Sequence, residues 1–385
     1  MGHSFTCGNA KVITRDQEID GGIVIKDGLI AEVFAGPAGR IDVDFAGDFL
    51  IPGLVELHTD NLERQFQPRP KVQWPADAAM LAHDTQMITA GITTVCDAVC
   101  VGFYGETKER VQFLKKSLDA LAHAEEAGVL KSEHFLHLRC EVSDPHCADI
   151  FAPLADEPHL KVVSLMDHTP GQRQWLDIDR YRTFHRGRTG ASEDEFQALI
   201  ERRRADQVRY ADQHRNSVLA MVEGRKLAIA SHDDTTDEHV AEAAAVGATI
   251  SEFPTTIAAA RAAHTANMTT IMGAPNVILG GSHSGNVAAK ELAANDLLDG
   301  LSSDYVPVSL LHAAFKLADQ LERPLPEMIR KVSLNNAAMI NMADRGEIAV
   351  GKRADIVRVR RNRKTQELVD VPSIIGVWRC GQRVA

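Results

Sequence analysis

The middle of the chain alternates short apolar runs with helix-like stretches, and this alternation constrains the fold more than any other feature. The runs are LVELH at 54–58, TTVCD at 93–97, HFLHLRC at 134–140 and VVSLMD at 162–167, followed by LAIAS at 227–231, ATISEF at 248–253, TTIMG at 269–273 and DGLSSD at 299–304. Segments such as AAMLAHDTQMITAG and EHVAEAAAVGA separate them. Short apolar strands followed by helices indicate a parallel sheet covered on both faces. Eight such units across about 250 residues match a (β/α)8 TIM-type barrel. A doubly wound open sheet is the competing arrangement, but no GxGxxG phosphate turn supports it.

Both chain ends have a different texture. AKVIT, GGIVIKDGLIAEVFAG and IDVDFAGDFLIPG read as short strands, with Asp27–Gly28 as a hairpin turn. ADIVRVRRN and IIGVWRCGQRVA repeat that pattern at the C-terminus. The expected division is a small β domain from residues 1–50 and 342–385, with a barrel over 51–341 inserted between them. One interval is too long for a simple unit. Residues from about 172 to 226 form a charged, helix-prone insertion, either a solvated excursion or a lid over the strand ends.

Composition narrows the function classes. The net charge of −11 argues against broad binding to nucleic acid or anionic membranes. No apolar run reaches the ~20 residues needed to span a bilayer. The N-terminus lacks the apolar core of a signal peptide; Gly2 with Thr6 fits the myristoylation pattern, but no polybasic patch accompanies it. The six cysteines form no CxxC pair, which reads as reduced, cytoplasmic usage.

Polar residues gather where the strands end. Side chains alternate along a strand, so Glu56, His58 and Asp60 share one face of the first run. The third run puts His137, Arg139 and Glu141 on one face. The fourth ends at Asp167–His168, the fifth runs into His232–Asp233–Asp234, and the eighth ends at Asp304. In a barrel these ends converge on one cavity, and two clustered divalent ions would account for so many imidazoles and carboxylates.

PGLVELHTD, followed far downstream by GEIAVGKRADIVRV, resembles the amidohydrolase superfamily. HTDN, PRPKVQWP, HLRCE, SLMDHTPGQRQ, ASHDD, EFPTT, GAPN, GGSHSGN and SSDY together resemble its phosphonate-processing branch, across nearly the whole chain. The resemblance implies a (β/α)8 metallohydrolase with a small β-sandwich formed from both termini. It implies metal ligands at His58, Asp60, His168, His232 and Asp304, with Glu141 as the acid bridging two ions, and Asp304 also catalytic. The implied ions are zinc, with manganese or magnesium favoured by the unusual carboxylate at Asp60, where relatives carry a second histidine. The resemblance implies later histidines on strands five and six, whereas the runs here put them on four and five; either the strands are counted one short or one site is rearranged, with Glu252 on strand six in place of a ligand.

The implied reaction is metal-dependent hydrolysis of a methylphosphonylated ribose 5-triphosphate, releasing pyrophosphate. The partner is then a small phosphorylated sugar phosphonate, with no nucleic acid or membrane, and the protein is expected to be a homo-oligomer. Arg69 and Lys71 in PRPKVQW, Arg173 in GQRQ, Asn276, and Ser282, His283 and Ser284 in GGSHSGN are candidate substrate contacts. The competing enzyme reading is hydrolysis of a cyclic amide, an N-acyl sugar or a nucleobase amine. Basic residues beside the site count against it. A non-catalytic scaffold is a third reading, and the full candidate ligand set counts against that one.

Overall fold

The computed structural model describes residues 4–69, 72–102, 107–175, 177–179, 181–183, 192–281, 285–361 and 371–385. The N-terminal strands are β1 (Ser4–Ile13), β2 (Glu18–Lys26), β3 (Leu29–Ala35), β4 (Val43–Asp44) and β5 (Phe49–Pro52). Then come β6 (Leu54–Thr59), β7 (Ile92–Val101), β8 (Glu133–Glu141), β9 (Leu160–Met166), β10 (Ala228–His232), β11 (Ile250–Glu252), β12 (Thr269–Gly273) and β13 (Gly300–Ser302). The chain closes with β14 (Ile356–Arg360), β15 (Ser373–Arg379) and β16 (Gln382–Arg383).

Strands β6 to β13 pair in sequence order as one parallel sheet, and each coincides with one of the eight apolar runs. Every residue of β6 is buried, as expected of a strand covered on both faces. The sheet nearly closes on itself. At the β6–β13 seam the Asp304 amide donates to the His58 carbonyl and the Asp60 amide to the Asp304 carbonyl, each at 3.0 Å. The Thr59 hydroxyl donates to the same Asp304 carbonyl at 2.9 Å. Inside the seam, the Glu56 carboxylate accepts from the backbone amides of His58 at 2.6 Å and Ser303 at 2.5 Å. The register shifts between Glu56 and Thr59, so Glu56 serves an irregular stretch of strand rather than the cavity.

The remaining strands form a separate sheet ordered β16-β15-β14-β5-β1-β2-β3, with β4 alongside β1. Strand β5 joins the two ends of the chain, parallel to β1 and antiparallel to β14. This sheet has its own apolar cluster, including Cys7, Val12, Ile23, Phe45, Leu50, Ile356 and Trp378. The chain passes from it into the barrel through Gly53, where a Cβ would lie 2.2 Å from the Thr93 hydroxyl. Only glycine fits that approach.

The long interval is helical, as its composition predicts. Its main helix, Glu193–Met221, starts with a capping box between Ser192 and Glu195. Phe196 and Ile200 pack beside Tyr181, and the Arg204 Nε donates to the Pro170 carbonyl at 3.2 Å. The helix therefore leans on the loop that follows β9. No helix among the described residues is long and apolar enough to cross a membrane.

Candidate metal centre and active site

A cavity of about 330 Å³ opens at the C-terminal ends of the barrel strands. Two groups of ligand-type side chains face it. His58, Asp60 and Asp304 come from the ends of the two seam strands, while His168 follows β9, His232 ends β10 and Asp233 comes just after it. In each group the ligand atoms lie within 4.8 Å of one another. The His58 and His232 rings stack with centroids 5.9 Å apart, so the groups are neighbours.

Backbone conformation aims several of these side chains. Asp233 and Asp304, just past β10 and β13, adopt left-handed φ angles of 55° and 54°. Asp tolerates this region better than most residues, and such conformations collect at functional sites.

Hydrogen bonds then fix which ring nitrogens remain for the cavity. His58 Nδ1 lies 2.6 Å from Glu252 Oε1, which turns Nε2 toward Asp60 at 3.8 Å. His232 Nδ1 lies 2.7 Å from Glu252 Oε2, leaving Nε2 3.5 Å from Asp233 Oδ2. His168 Nδ1 lies 2.6 Å from Glu141 Oε2, leaving Nε2 3.6 Å from the same Asp233 oxygen. That oxygen is buried and has no hydrogen-bond partner. A buried carboxylate oxygen left unmet costs about 1–3 kcal/mol or more, and a cation between two imidazole Nε2 atoms would satisfy it. The donor set of imidazole nitrogen and carboxylate oxygen suits zinc or manganese. The residues therefore fit divalent ions.

The charges agree with this geometry. Burial alone would lower the His168 pKa, yet Glu141 and then Asp233 raise it to about 10. Burial would raise Glu141, and the His168 contact instead brings it down to about 2. Burial lifts Asp304 above its ordinary value; the His58 ring opposes the rise and the Asp60 charge adds to it.

His58, Asp60, His168, His232 and Asp304, expected as ligands, are brought together. Glu141 is not brought between the two groups. Its Oε1 accepts from the His168 amide and the Ser143 hydroxyl, and its Oε2 faces the His168 ring. It stands behind the His168 ring rather than between the two groups. The histidines do lie after strands four and five of the barrel, and Glu252 on strand six contacts one ring of each group.

Asp233, which no motif singles out from adjacent Asp234, joins the His168–His232 group. Asp234 is spent: its Oδ1 accepts from Arg173 at 2.7 Å, and its Oδ2 accepts from the Ser231 and Ser251 hydroxyls. Only the backbone turn separates their roles.

The anticipated substrate contacts divide. Asn276 lines the cavity. Arg173 is committed elsewhere, donating to Asp234 and, at 3.0 Å, to the His232 carbonyl. Arg69 is exposed and does not line the cavity. Lys71, Ser282, His283 and Ser284 lie outside the described residues, although Gly281 and Asn286 beside the latter three line the cavity. Of the 172–226 interval, Gln174 alone among the described residues lines it. Arg139 is the cavity's one Lys or Arg among the described residues, and its NH1 donates to Asp60 at 2.5 Å.

A parallel barrel with histidines and carboxylates gathered at its strand ends defines a class of metal-dependent hydrolases, and the chain belongs to the amidohydrolase family, with residues 152–385 matching it. Members of this class use divalent metal ions. Over 380 residues the chain is 43% identical to alpha-D-ribose 1-methylphosphonate 5-triphosphate diphosphatase of Escherichia coli (strain K12), covering 98% of this chain and 99% of that protein. Solved structures share the fold at low identity. A Xaa-Pro dipeptidase with bound methionine in its active site superposes with a TM-score of 0.65 at 13% identity, covering 99% of this chain and 100% of the other. N-acetylglucosamine-6-phosphate deacetylase from Pasteurella multocida gives 0.62 at 12% identity, with 100% of both chains covered.

Proposed function

We propose that this protein hydrolyses alpha-D-ribose 1-methylphosphonate 5-triphosphate to the 5-phosphate and pyrophosphate during phosphonate utilisation. The observation that carries this reading is 43% identity over 98% of the chain to a diphosphatase of that name. The retained ligand groups support it. His58, Asp60 and Asp304 would hold one divalent ion, and His168, His232 and Asp233 a second. Bound there, the ions would neutralise phosphate charge and make a water acidic enough to attack phosphorus near neutral pH. Zinc leads, and the three carboxylates of the set also suit manganese or magnesium.

The chain's own residues divide the remaining work. Asp304, its carboxyl raised by burial, accepts the proton of the attacking water and returns it to the leaving oxygen. Water adds to phosphorus as the bond to the bridging anhydride oxygen breaks, so pyrophosphate leaves with the electron pair. Glu141 orients the His168 ring, and Arg139 offers a guanidinium to phosphoryl oxygens. Asn276, Gly281 and Asn286, which line the cavity, would meet the triphosphate or the phosphonate.

Several broader readings accompany this one. The terminal sheet, with its own apolar cluster, is read as the sandwich domain (1–50 and 342–385) beside a 51–341 barrel. All six cysteines are free, which supports a reducing, cytoplasmic compartment. We expect a homo-oligomer, readable by light scattering, and no nucleic-acid partner.

A phosphorus NMR time course tests the reaction, using metal-loaded protein and a chelated control. Metal-dependent appearance of pyrophosphate and the 5-phosphate is the expected result. An untouched triphosphate, with bound metal verified, would overturn it in favour of amide hydrolysis.

A further inference from the structure

Glu252 ends β11 at the floor of the barrel, 2% exposed, and does not line the cavity. Its two oxygens face two different rings, His58 Nδ1 at 2.6 Å and His232 Nδ1 at 2.7 Å. Those rings belong to different ligand groups, and each points its Nε2 toward carboxylates of its own group. An imidazole can ligate through Nε2 only while that nitrogen carries no proton. The carboxylate, which only accepts, requires N–H at both Nδ1 positions and so leaves both Nε2 atoms as lone pairs.

We infer that Glu252 is a positioning residue shared by the two ion sites, one oxygen setting the tautomer of each site's histidine. The inference rests on the two-ion reading above. One buried acid serving both rings replaces two separate partners and ties the orientation of one site to the other.

The inference makes a prediction that a general structural role does not. Glu252→Gln keeps the size of the side chain but offers one acceptor and one donor. The oxygen can still hold one Nδ1–H; the amide nitrogen requires the other ring to present a bare Nδ1, which moves its proton to Nε2 and removes it as a ligand. The variant should therefore retain one ion with wild-type affinity and lose affinity for the other by roughly 10–100-fold. Zinc titration calorimetry with metal analysis reads both numbers, and circular dichroism checks the fold.

Two ions at wild-type affinity in Glu252→Gln, or equal weakening of both sites in folded protein, would overturn the inference and leave the two-ion reading intact. Wild-type protein that binds fewer than two ions would overturn both. If the variant does not fold, zinc-loaded wild-type protein with 15N-labelled histidine decides the question. Protonated Nδ1 on both His58 and His232 is expected, and a proton on Nε2 of either ring would overturn the inference.

Discussion

A part-exposed and a fully buried histidine–carboxylate cluster lie close together in this molecule, and their chemistry is opposite. One faces the cavity. The other, His83, Asp97 and His134, sits in the barrel wall between the Ala76–Thr89 helix and strands β7 and β8, and its ligand-type atoms also lie within 4.8 Å of one another. In the wall every valence is used. His83 Nε2 donates to Asp97 Oδ1 at 2.6 Å, while its Nδ1 accepts from the Asn61 amide at 3.0 Å. His134 donates from both ring nitrogens, to Asp97 Oδ2 at 2.8 Å and Asp84 Oδ1 at 3.2 Å. Asp84 in turn accepts from the Lys131 and Ser132 amides. In the cavity, Asp233 Oδ2 has no hydrogen-bond partner and only longer contacts of 3.5 and 3.6 Å to two imidazoles. The same residue types at the same spacing give a sealed network in one place and an open coordination set in the other. Unmet valence, rather than residue type, marks the site for an ion.

Paired amide substitutions should separate the clusters most sharply. Asp233→Asn is expected to keep the fold and weaken one ion by more than about 100-fold, with a matching loss of turnover. Asp97→Asn should leave the metal content of folded protein unchanged and cost about 3–5 kcal/mol, because it breaks a buried pair and strands an imidazolium. Metal analysis and denaturant unfolding read the two effects; an exchange of phenotypes would undo the comparison. The next largest effect belongs to Arg139→Met. Loss of a charged hydrogen bond, worth about 1.5–3 kcal/mol, should raise KM for the triphosphate by roughly 10–100-fold, and an unchanged KM would confine Arg139 to pairing with Asp60.

The wall should also show in the pH dependence of stability. Burial works against the charge on His134, but Asp97 and Asp84 raise its pKa from an ordinary 6.5 to about 9. A raised pKa means that its stabilisation is full below 6.5 and is lost as pH climbs through about 9. Burial opposes ionisation of Asp84 and Asp97 too, yet contacts with His134, and for Asp97 also with His83, lower both. Their contribution is present above the usual carboxylate range and is lost in acid. Thermal melts should therefore weaken from pH 6.5 to 9 in the wild type, and His134→Gln should flatten that slope. The smallest effect is expected from Arg69→Ala. Its exposed side chain lies off the cavity, so KM should change by less than about twofold, within the ±0.5 kcal/mol of an ordinary surface substitution.

The barrel was legible because buried parallel strands carry their signal locally, as short apolar runs between helices. All eight runs became strands in order. That His58, Asp60, His168, His232 and Asp304 converge was legible for the same reason, since a strand end is a position the run itself marks; their ligand roles rest on the resemblance. The remainder depends on three-dimensional partners. Arg173 looked free beside His168 until the structure placed it against Asp234, 61 residues away. Glu141 is expected as a bridge, but the turn after β9 sets the His168 ring between it and Asp233. The choice between Asp233 and Asp234 rests on one left-handed backbone angle, which an Asp–Asp pair does not announce. His134 and His137 lie on opposite faces of one strand, and the structure takes the first to the wall and the second inward.

The β6–β13 seam carries a consequence of its own. A barrel is a hoop of staves, and its last joint brings together the strands farthest apart in the chain. Here that joint is fastened through the His58 carbonyl, the Asp60 amide and both backbone groups of Asp304. The fastener and the workbench are thus one piece. A change that loosens the first and last staves misplaces three of the six ligand-type groups at once, and a cation gripping those groups would lock the hoop shut. Sequence drift can reshape the other staves separately, but this joint can change only with the chemistry it carries.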